Sequence, residues 1–70
     1  MHVTPVDQRI GMRIRGKRLA LGLSQDDLAR AVGVTPETIE AYERALVRVP
    51  PEHLTKLAEF LGVTLGYLTL

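Results

Sequence analysis

The sequence predicts an all-α domain of five short helices. Apolar residues recur three and four positions apart, as Leu54, Leu57, Ala58 and Leu61 do, and this is the period of an amphipathic helix. Strand-like alternation of apolar and polar residues never persists, and residues that start or stop helices recur along the whole chain. Five helices in 70 residues leave no room for a sheet, so we expect a compact, purely helical fold.

The first helix is predicted over residues 7–21. Asp7 suits a helix start because carboxylates favour the positive end of the helix dipole, and Gly22 supplies a left-handed stop. Ile10 and Ile14 lie one turn apart and are expected to face the core.

Two further helices follow in quick succession. Ser24 is a good N-cap with Asp27 at the capping-box position, and Gly33 ends this second helix. Thr35 caps the third helix, and Pro36 occupies its first position, where a missing N–H costs nothing. Their predicted inward faces are Leu28, Ala29 and Val32, then Ile39 and Tyr42.

The last two helices are marked by prolines and by a second capping threonine. Pro50 and Pro51 start the fourth helix, which Gly62 stops, and Thr64 caps a short fifth helix. The apolar residues expected in the core here are Leu54, Leu57, Leu61, Val63 and Leu68.

Length and composition limit the function classes. Seventy residues make one domain at most, predicted over residues 7–70. Residues 1–6 have no apolar period and contain Pro5, so we expect a flexible N-terminal arm. Cysteine is absent, which excludes a disulfide or a thiolate metal site. No segment is typical of a membrane span or a signal peptide, so a cytoplasmic location is expected.

Basic residues concentrate in the first helix. The net charge is only +1, yet five of the nine Lys and Arg residues fall close together. They are Arg9, Arg13, Arg15, Lys17 and Arg18. A local cluster can bind phosphates even where the total charge is small, although a solvated helix face has the same pattern.

Residues 24–43 are typical of one supersecondary motif. Two short helices are joined by Gly33-Val34-Thr35, where glycine permits a sharp turn and Val34 can fill the angle. Ala29 is small where the second helix must approach closely. A short turn containing glycine between two helices is the geometry of the DNA-binding helix-turn-helix.

The ordered set of these residues resembles the Cro/Xre family of phage repressors and bacterial regulators. The resemblance covers residues 8–70 and includes the stretch 18–29, Gly33-Val34-Thr35, Tyr42-Glu43-Arg44 and Leu61-Gly-Val-Thr64. It implies a phage-repressor-like domain that recognises DNA in a sequence-specific way. The family further implies a repressor that binds a pseudo-palindromic operator as a homodimer.

The resemblance also implies which residues meet double-stranded DNA. The third helix matches the family's recognition helix, and Gln25 matches a glutamine that touches a phosphate and braces that helix. Arg18 and Glu43 match a salt bridge that ties the recognition helix to the scaffold. The expected DNA-binding set is Gln25, Thr35, Pro36, Glu37, Thr38, Glu40, Ala41, Arg44, Arg48, Arg15 and Lys17.

The sequence departs from the family on the reading face. Pro36 offers only apolar contact, while Glu37 and Glu40 make the face unusually acidic. Glu37 can accept hydrogen bonds from cytosine N4 or adenine N6, and Ala41 can touch a thymine methyl. Ala45 replaces the usual glycine after the third helix, so we expect a turn of another shape there.

The end of the chain and the remaining residues complete the expectations. The family usually dimerises through its last helix, so Leu65, Tyr67, Leu68 and Leu70 are the predicted dimer contacts. Plain packing or fraying of the chain end is the open alternative. His2 and His53 are isolated, so no metal site is expected. No catalytic set is credible in so small a domain and no sensor domain is recognisable, so no cofactor, small-molecule ligand or enzyme activity is expected either. The same fold serves as an antitoxin-type or other protein-interaction module, and the acidic third helix keeps that alternative open.

Overall fold

The computed structural model describes residues 2–70, and these form five α-helices without a strand. The helices are α1 (Pro5–Ala20), α2 (Gln25–Val32), α3 (Pro36–Glu43), α4 (Pro51–Leu61) and α5 (Leu65–Thr69). The predicted all-α class with five helices is therefore confirmed. Helix α1 packs against α3 and α5, and α2 packs against α3 and α4, within a body of 28 × 23 × 20 Å.

Helix α1 begins at Pro5, two residues before the predicted start at Asp7. The Thr4 hydroxyl accepts a hydrogen bond from the Asp7 N–H, and the Asp7 carboxylate accepts one from the Thr4 N–H at 2.7 Å. This reciprocal capping box fixes the helix start, and Pro5 fits its first turn because its missing N–H has no helical partner to lose.

The predicted arm over residues 1–6 is accordingly wrong for Pro5 and Val6, which are helical. The proline indicated an irregular segment, whereas the structure uses it as a helix starter. Met1 lies outside the described residues, and the flexibility of the segment before the helix stays a prediction.

The core lies where the five helices meet. Ile14, Leu28, Ile39, Leu57 and Leu68 are its largest fully buried side chains, so every helix contributes one. Leu54 and Val63, both predicted in the core, are partly buried and pack against its edge. Each fully buried aliphatic side chain contributes about 1.5–3 kcal/mol by leaving water.

A glycine sets the distance between α1 and the end of α3. A Cβ placed on Gly11 would lie 2.5 Å from the carbonyl oxygens of both Tyr42 and Glu43. Only a residue without a side chain allows the two backbones to come so close. Helix α3 is therefore held against α1 at its C-terminal end.

No helix among residues 2–70 is long and apolar enough to cross a membrane.

Candidate nucleic-acid interface

The turn between α2 and α3 has the predicted geometry. Gly33 adopts φ +88°, and the N–H groups of Gly33 and Val34 both donate to the Ala29 carbonyl, at 2.8 and 3.0 Å. Thr35 then caps α3, its hydroxyl accepting from the Thr38 N–H at 3.2 Å. The left-handed glycine ends one helix and the threonine starts the next, so only three residues separate α2 from α3.

Helix α3 divides cleanly into a buried and an exposed face. Its buried residues are Ile39, Tyr42 and Glu43. Glu37, Glu40 and Arg44 are exposed, and Pro36, Thr38 and Ala41 are half-buried beside them. The predicted reading residues thus share the outward side of α3. Thr35 and Thr38 also contact each other, with their hydroxyls 2.9 Å apart.

Glu43 is the point at which α3 is tied to α1. The Arg18 Nε donates to Glu43 Oε2 at 2.7 Å and Nη2 donates to Oε1 at 3.1 Å, with the residues only 8% and 6% exposed. The third donor, Nη1, bonds the Leu23 carbonyl at 3.0 Å. The hydrogen bond that Arg18 donates to Glu43 raises the pKa of Arg18 above its ordinary value, so this guanidinium stays charged.

Gln25 joins this pair to the N-terminus of α2. Its Nε2 donates to Glu43 Oε1 at 3.1 Å. The bracing contact implied by the resemblance is therefore present in the geometry, and it places the first residue of α2 beside the outward face of α3. One buried carboxylate thereby organises three helices.

Two shallow grooves flank α3 on this side. One, of about 180 Å³, is lined by Gln25, Pro36, Glu37, Glu40, Ala41 and Leu46. The other, of about 300 Å³, is lined by Arg15, Arg18, Gln25, Glu40, Glu43 and Arg44. The exposed cations that line the second groove are therefore Arg15 and Arg44.

Not all the predicted cations are placed alike. Arg44 lies 3.7 Å from Glu40 in an exposed pair. Arg48 turns to the start of α1, where its guanidinium contacts the Asp7 carboxylate at 3.3 Å and the His2 carbonyl at 3.0 Å. Lys17 is half-buried.

The basic cluster of α1 is split between two tasks. Arg9 Nη1 donates to the Thr69 carbonyl at 3.1 Å, and Arg13 Nη1 donates to the Tyr67 carbonyl at 2.6 Å. The Arg13 guanidinium also lies 5.7 Å from the centroid of the Tyr67 ring. These two arginines hold the end of α5, whereas Arg15 faces the helix-turn-helix.

The helix-turn-helix family model matches residues 14–68, from the middle of α1 to α5. The chain belongs to the Cro/Xre-type helix-turn-helix family. The family predicted from the sequence is confirmed. The curated relatives that share this domain are named as transcriptional regulators.

Relatives and solved structures agree with this assignment. A transcriptional regulator from the ATPase CF(0) region of Rhodospirillum rubrum is 40% identical over 62 residues, covering 89% of this chain and 57% of the relative. The P22 c2 repressor in complex with a synthetic operator superposes with a TM-score of 0.81 at 34% identity, over 87% of this chain and 92% of that one. The restriction-modification controller C.AhdI of Aeromonas hydrophila has a TM-score of 0.81 at 33% identity and the same coverage. The chain spans about half the length of the curated relatives it matches.

The turn after α3 keeps a left-handed shape in this helix-turn-helix domain. Ala45 has φ +54°, its N–H donates to the Tyr42 carbonyl, and the Leu46 N–H donates to the Ala41 carbonyl. This is a Schellman motif, which normally has glycine at the left-handed position. The expectation of another turn shape is wrong, because the burial of Ala45 and these two hydrogen bonds hold the alanine in the strained conformation.

The predicted dimer residues of α5 do not share one environment. Leu65, Tyr67 and Leu70 are exposed, with Leu70 80% accessible. Leu68 is fully buried in the core, so its assignment to a dimer surface is wrong. A five-residue helix must turn one side inward, and Leu68 occupies that side.

Three contacting residues of this domain were not predicted from the sequence. Leu46 lines the groove beside Pro36 because the Schellman turn brings it back along α3. The Tyr42 hydroxyl lies 2.8 Å from His53 Nδ1, which joins α3 to α4. Gly11 permits the close approach of α1. The sequence did contain a signal for Gly11. A glycine inside a helical pattern lowers helix propensity, so its presence there indicates that packing requires it.

Proposed function

We propose that this chain is the DNA-binding domain of a sequence-specific transcriptional repressor, with α3 as its recognition helix. The observation that carries the proposal is the exposed side of α3, which stands beside Arg15 and Arg44 and is anchored from behind by the Arg18–Glu43 pair. A helix presented in this way can enter the major groove while the scaffold rests on the backbone.

The proposed contacts divide by chemistry. Gln25 and Thr35 lie at the starts of α2 and α3, where free N–H groups and the positive dipole end suit a phosphate. Arg15 and Arg44 supply phosphate charges, and Lys17 adds a third from α1. Arg48 is left out of the set because its guanidinium is bound to Asp7 and to the His2 carbonyl. The residues proposed to meet base edges are Pro36, Glu37, Thr38, Glu40 and Ala41.

A homodimer on a pseudo-palindromic operator completes the proposal. Half-sites one turn of DNA apart lie about 34–36 Å from centre to centre. The domain measures 28 Å along its longest axis, so two copies fit side by side on one face of the duplex. The exposed Leu65, Tyr67 and Leu70 are the proposed contact between them. A dimer so placed represses by blocking polymerase, in the cytoplasm where the bacterial chromosome lies.

The test is selection of genomic fragments by the purified protein, repeated across a range of salt concentrations. We expect one enriched palindromic sequence and an affinity that falls steeply with salt, since phosphate contacts release counterions. No enriched sequence together with a flat salt response would contradict the proposal and favour a protein-interaction module.

A matched pair of variants locates the binding face. Arg44→Ala is expected to weaken binding to all DNA sequences and to reduce the slope of log affinity against log salt by about 1. Lys56→Ala removes another exposed cation, from α4 outside the helix-turn-helix, and should leave the slope unchanged. Equal losses from the two variants would place the DNA elsewhere.

A further inference from the structure

The groove beside the first turns of α3 combines an apolar wall with carboxylates. Pro36, Ala41 and Leu46 form the apolar wall, and Glu37 and Glu40 supply the charge, around a space of about 180 Å³. Leu46 is 61% exposed and lies three residues beyond the end of α3. Because apolar side chains and carboxylates lie side by side on this surface, only some base edges can pack against it.

Glu37 is the free acceptor of this groove. It is exposed and pairs with no cation among residues 2–70. Glu40, in contrast, pairs with the exposed Arg44, whose Nη1 lies 3.7 Å from Glu40 Oε2. An ionised carboxylate only accepts hydrogen bonds. A base edge placed opposite Glu37 must therefore supply a donor, because an opposing acceptor would leave both groups desolvated and unpaired.

The four bases differ in how they meet this combination. Guanine presents two acceptors, O6 and N7, and thymine presents its methyl beside the acceptor O4. Adenine has an amino donor, but the acceptor N7 stands next to it and would face the apolar wall. Cytosine alone places an amino donor, N4, beside an apolar ring position, C5. Methylation at C5 extends that apolar edge.

We propose that Glu37 reads the N4 amino group of a cytosine in each half-site, and that Pro36, Ala41 and Leu46 contact its C5 position. A 5-methylcytosine at that position binds more tightly than cytosine. This inference rests on the proposed function, since it requires α3 to lie in the major groove. It makes the domain a reader of cytosine methylation as well as of sequence.

The base specificity is tested on the operator obtained from fragment selection, in synthetic duplexes altered at one cytosine at a time. At the contacted cytosine, replacement by thymine should lower affinity roughly tenfold per half-site, as one mismatched pair typically does. Replacement by 5-methylcytosine should raise it about fourfold, the effect of burying one methyl group.

Three variants separate the two parts of the groove. Glu37→Ala should abolish the preference for cytosine over thymine at that position, and Leu46→Ala should keep this preference but lose the gain from 5-methylcytosine. Glu59→Gln removes an exposed carboxylate from α4 and should change neither. Because all three substituted residues are exposed, we expect the core to stay intact. Far-ultraviolet circular dichroism and thermal melting check that the variants are folded.

The outcomes distinguish this inference from the function on which it rests. A selected operator whose cytosine preference survives Glu37→Ala, or whose affinity does not rise with 5-methylcytosine anywhere in the half-site, overturns the inference and leaves specific DNA binding intact. Failure to enrich any sequence removes the proposed function itself.

Discussion

At the scale of single residues, the most consequential side chain is the carboxylate of Glu43. It belongs to α3, the proposed recognition helix, yet it is buried and receives hydrogen bonds from both Arg18 and Gln25. Taking two charges from water is costly, and the bidentate geometry together with the third bond to Leu23 offsets that cost. This ion pair is therefore one of the contacts that orient α3.

Removal of one partner of this pair is expected to destabilise the domain strongly. Glu43→Ala leaves the buried Arg18 charge without its counterion, at a cost of about 3–5 kcal/mol in the free energy of unfolding. Urea denaturation of the wild type and the variant measures this loss of stability. Arg30→Ala is the matched control, because Arg30 pairs with Asp26 and Asp27 at the surface and such pairs contribute about 1 kcal/mol or less. Equal effects would show that the buried pair does not anchor α3.

Ala45 offers a stabilising substitution at the same scale. Its φ of +54° is strained for any residue with a Cβ, by about 1–2 kcal/mol. Ala45→Gly relieves the strain but removes one buried methyl group, which costs about 0.8 kcal/mol. We therefore expect the free energy of unfolding to rise by up to about 1 kcal/mol, measured by thermal or urea unfolding. Ala31→Gly, inside α2, should instead destabilise by about 0.5–1 kcal/mol. Destabilisation by both changes would refute the strain argument.

Asp7 makes the helix start sensitive to acid. The hydrogen bond from the Thr4 N–H, with the smaller contribution of Arg48, holds the pKa of this carboxyl below its ordinary value of 3.8. A group with a lowered folded pKa stabilises the fold above its unfolded pKa and loses that effect as pH falls through the folded value. We expect Asp7→Asn to be less stable than wild type from pH 5 to 7, and the difference to shrink below pH 3.8. A difference that is constant from pH 2 to 7 would contradict this account.

At the scale of helices, the decisive contact is the close approach of α1 and α3 at Gly11. It brings α3 within range of Arg18, so that the packing at Gly11 and the Arg18–Glu43 pair act on the same end of α3. Interiors are too densely packed to absorb even one added carbon without movement.

Two glycines of α1 form a matched test of this contact. Gly11→Ala would place a Cβ against two backbone oxygens and is expected to lower the free energy of unfolding by about 1–3 kcal/mol. Gly16→Ala meets nothing within 4 Å and should stabilise the helix by roughly 0.5–1 kcal/mol. If Gly11→Ala also stabilises the domain, the helices do not depend on this approach. The same variant should weaken operator binding, because a displaced α3 no longer fits the groove.

At the scale of the whole molecule, the proposed function divides the surface between DNA and a second copy of the chain. The helix-turn-helix with Arg15 and Arg44 forms one side, and the exposed side chains of α5 form another. Arg9 and Arg13 stiffen α5 by binding its terminal carbonyl groups, which presents its apolar side chains in one arrangement.

The proposed dimer surface is tested by a charge placed on α5. Leu65→Glu should shift the protein from dimer to monomer in sedimentation equilibrium and should weaken operator binding while preserving the helical fold. Phe60→Glu introduces the same charge at a similarly exposed apolar residue of α4 and should leave the dimer intact. A wild-type protein that is monomeric at concentrations that saturate the operator would contradict an α5 dimer.

The amino-acid sequence by itself determined the helix count, the helix-turn-helix and the family, because caps, prolines, left-handed glycines and apolar periods act within a few residues of chain. The outward face of α3 followed in the same way from its helical period. Only the tertiary structure decided which charges remain for DNA: Arg9 and Arg13 are taken by α5, Arg48 contacts Asp7, and Glu37 is left without a cation among the described residues. It also decided the burial of Leu68 and the close approach at Gly11. These features join residues far apart in the chain, and local preferences carry no information about such contacts.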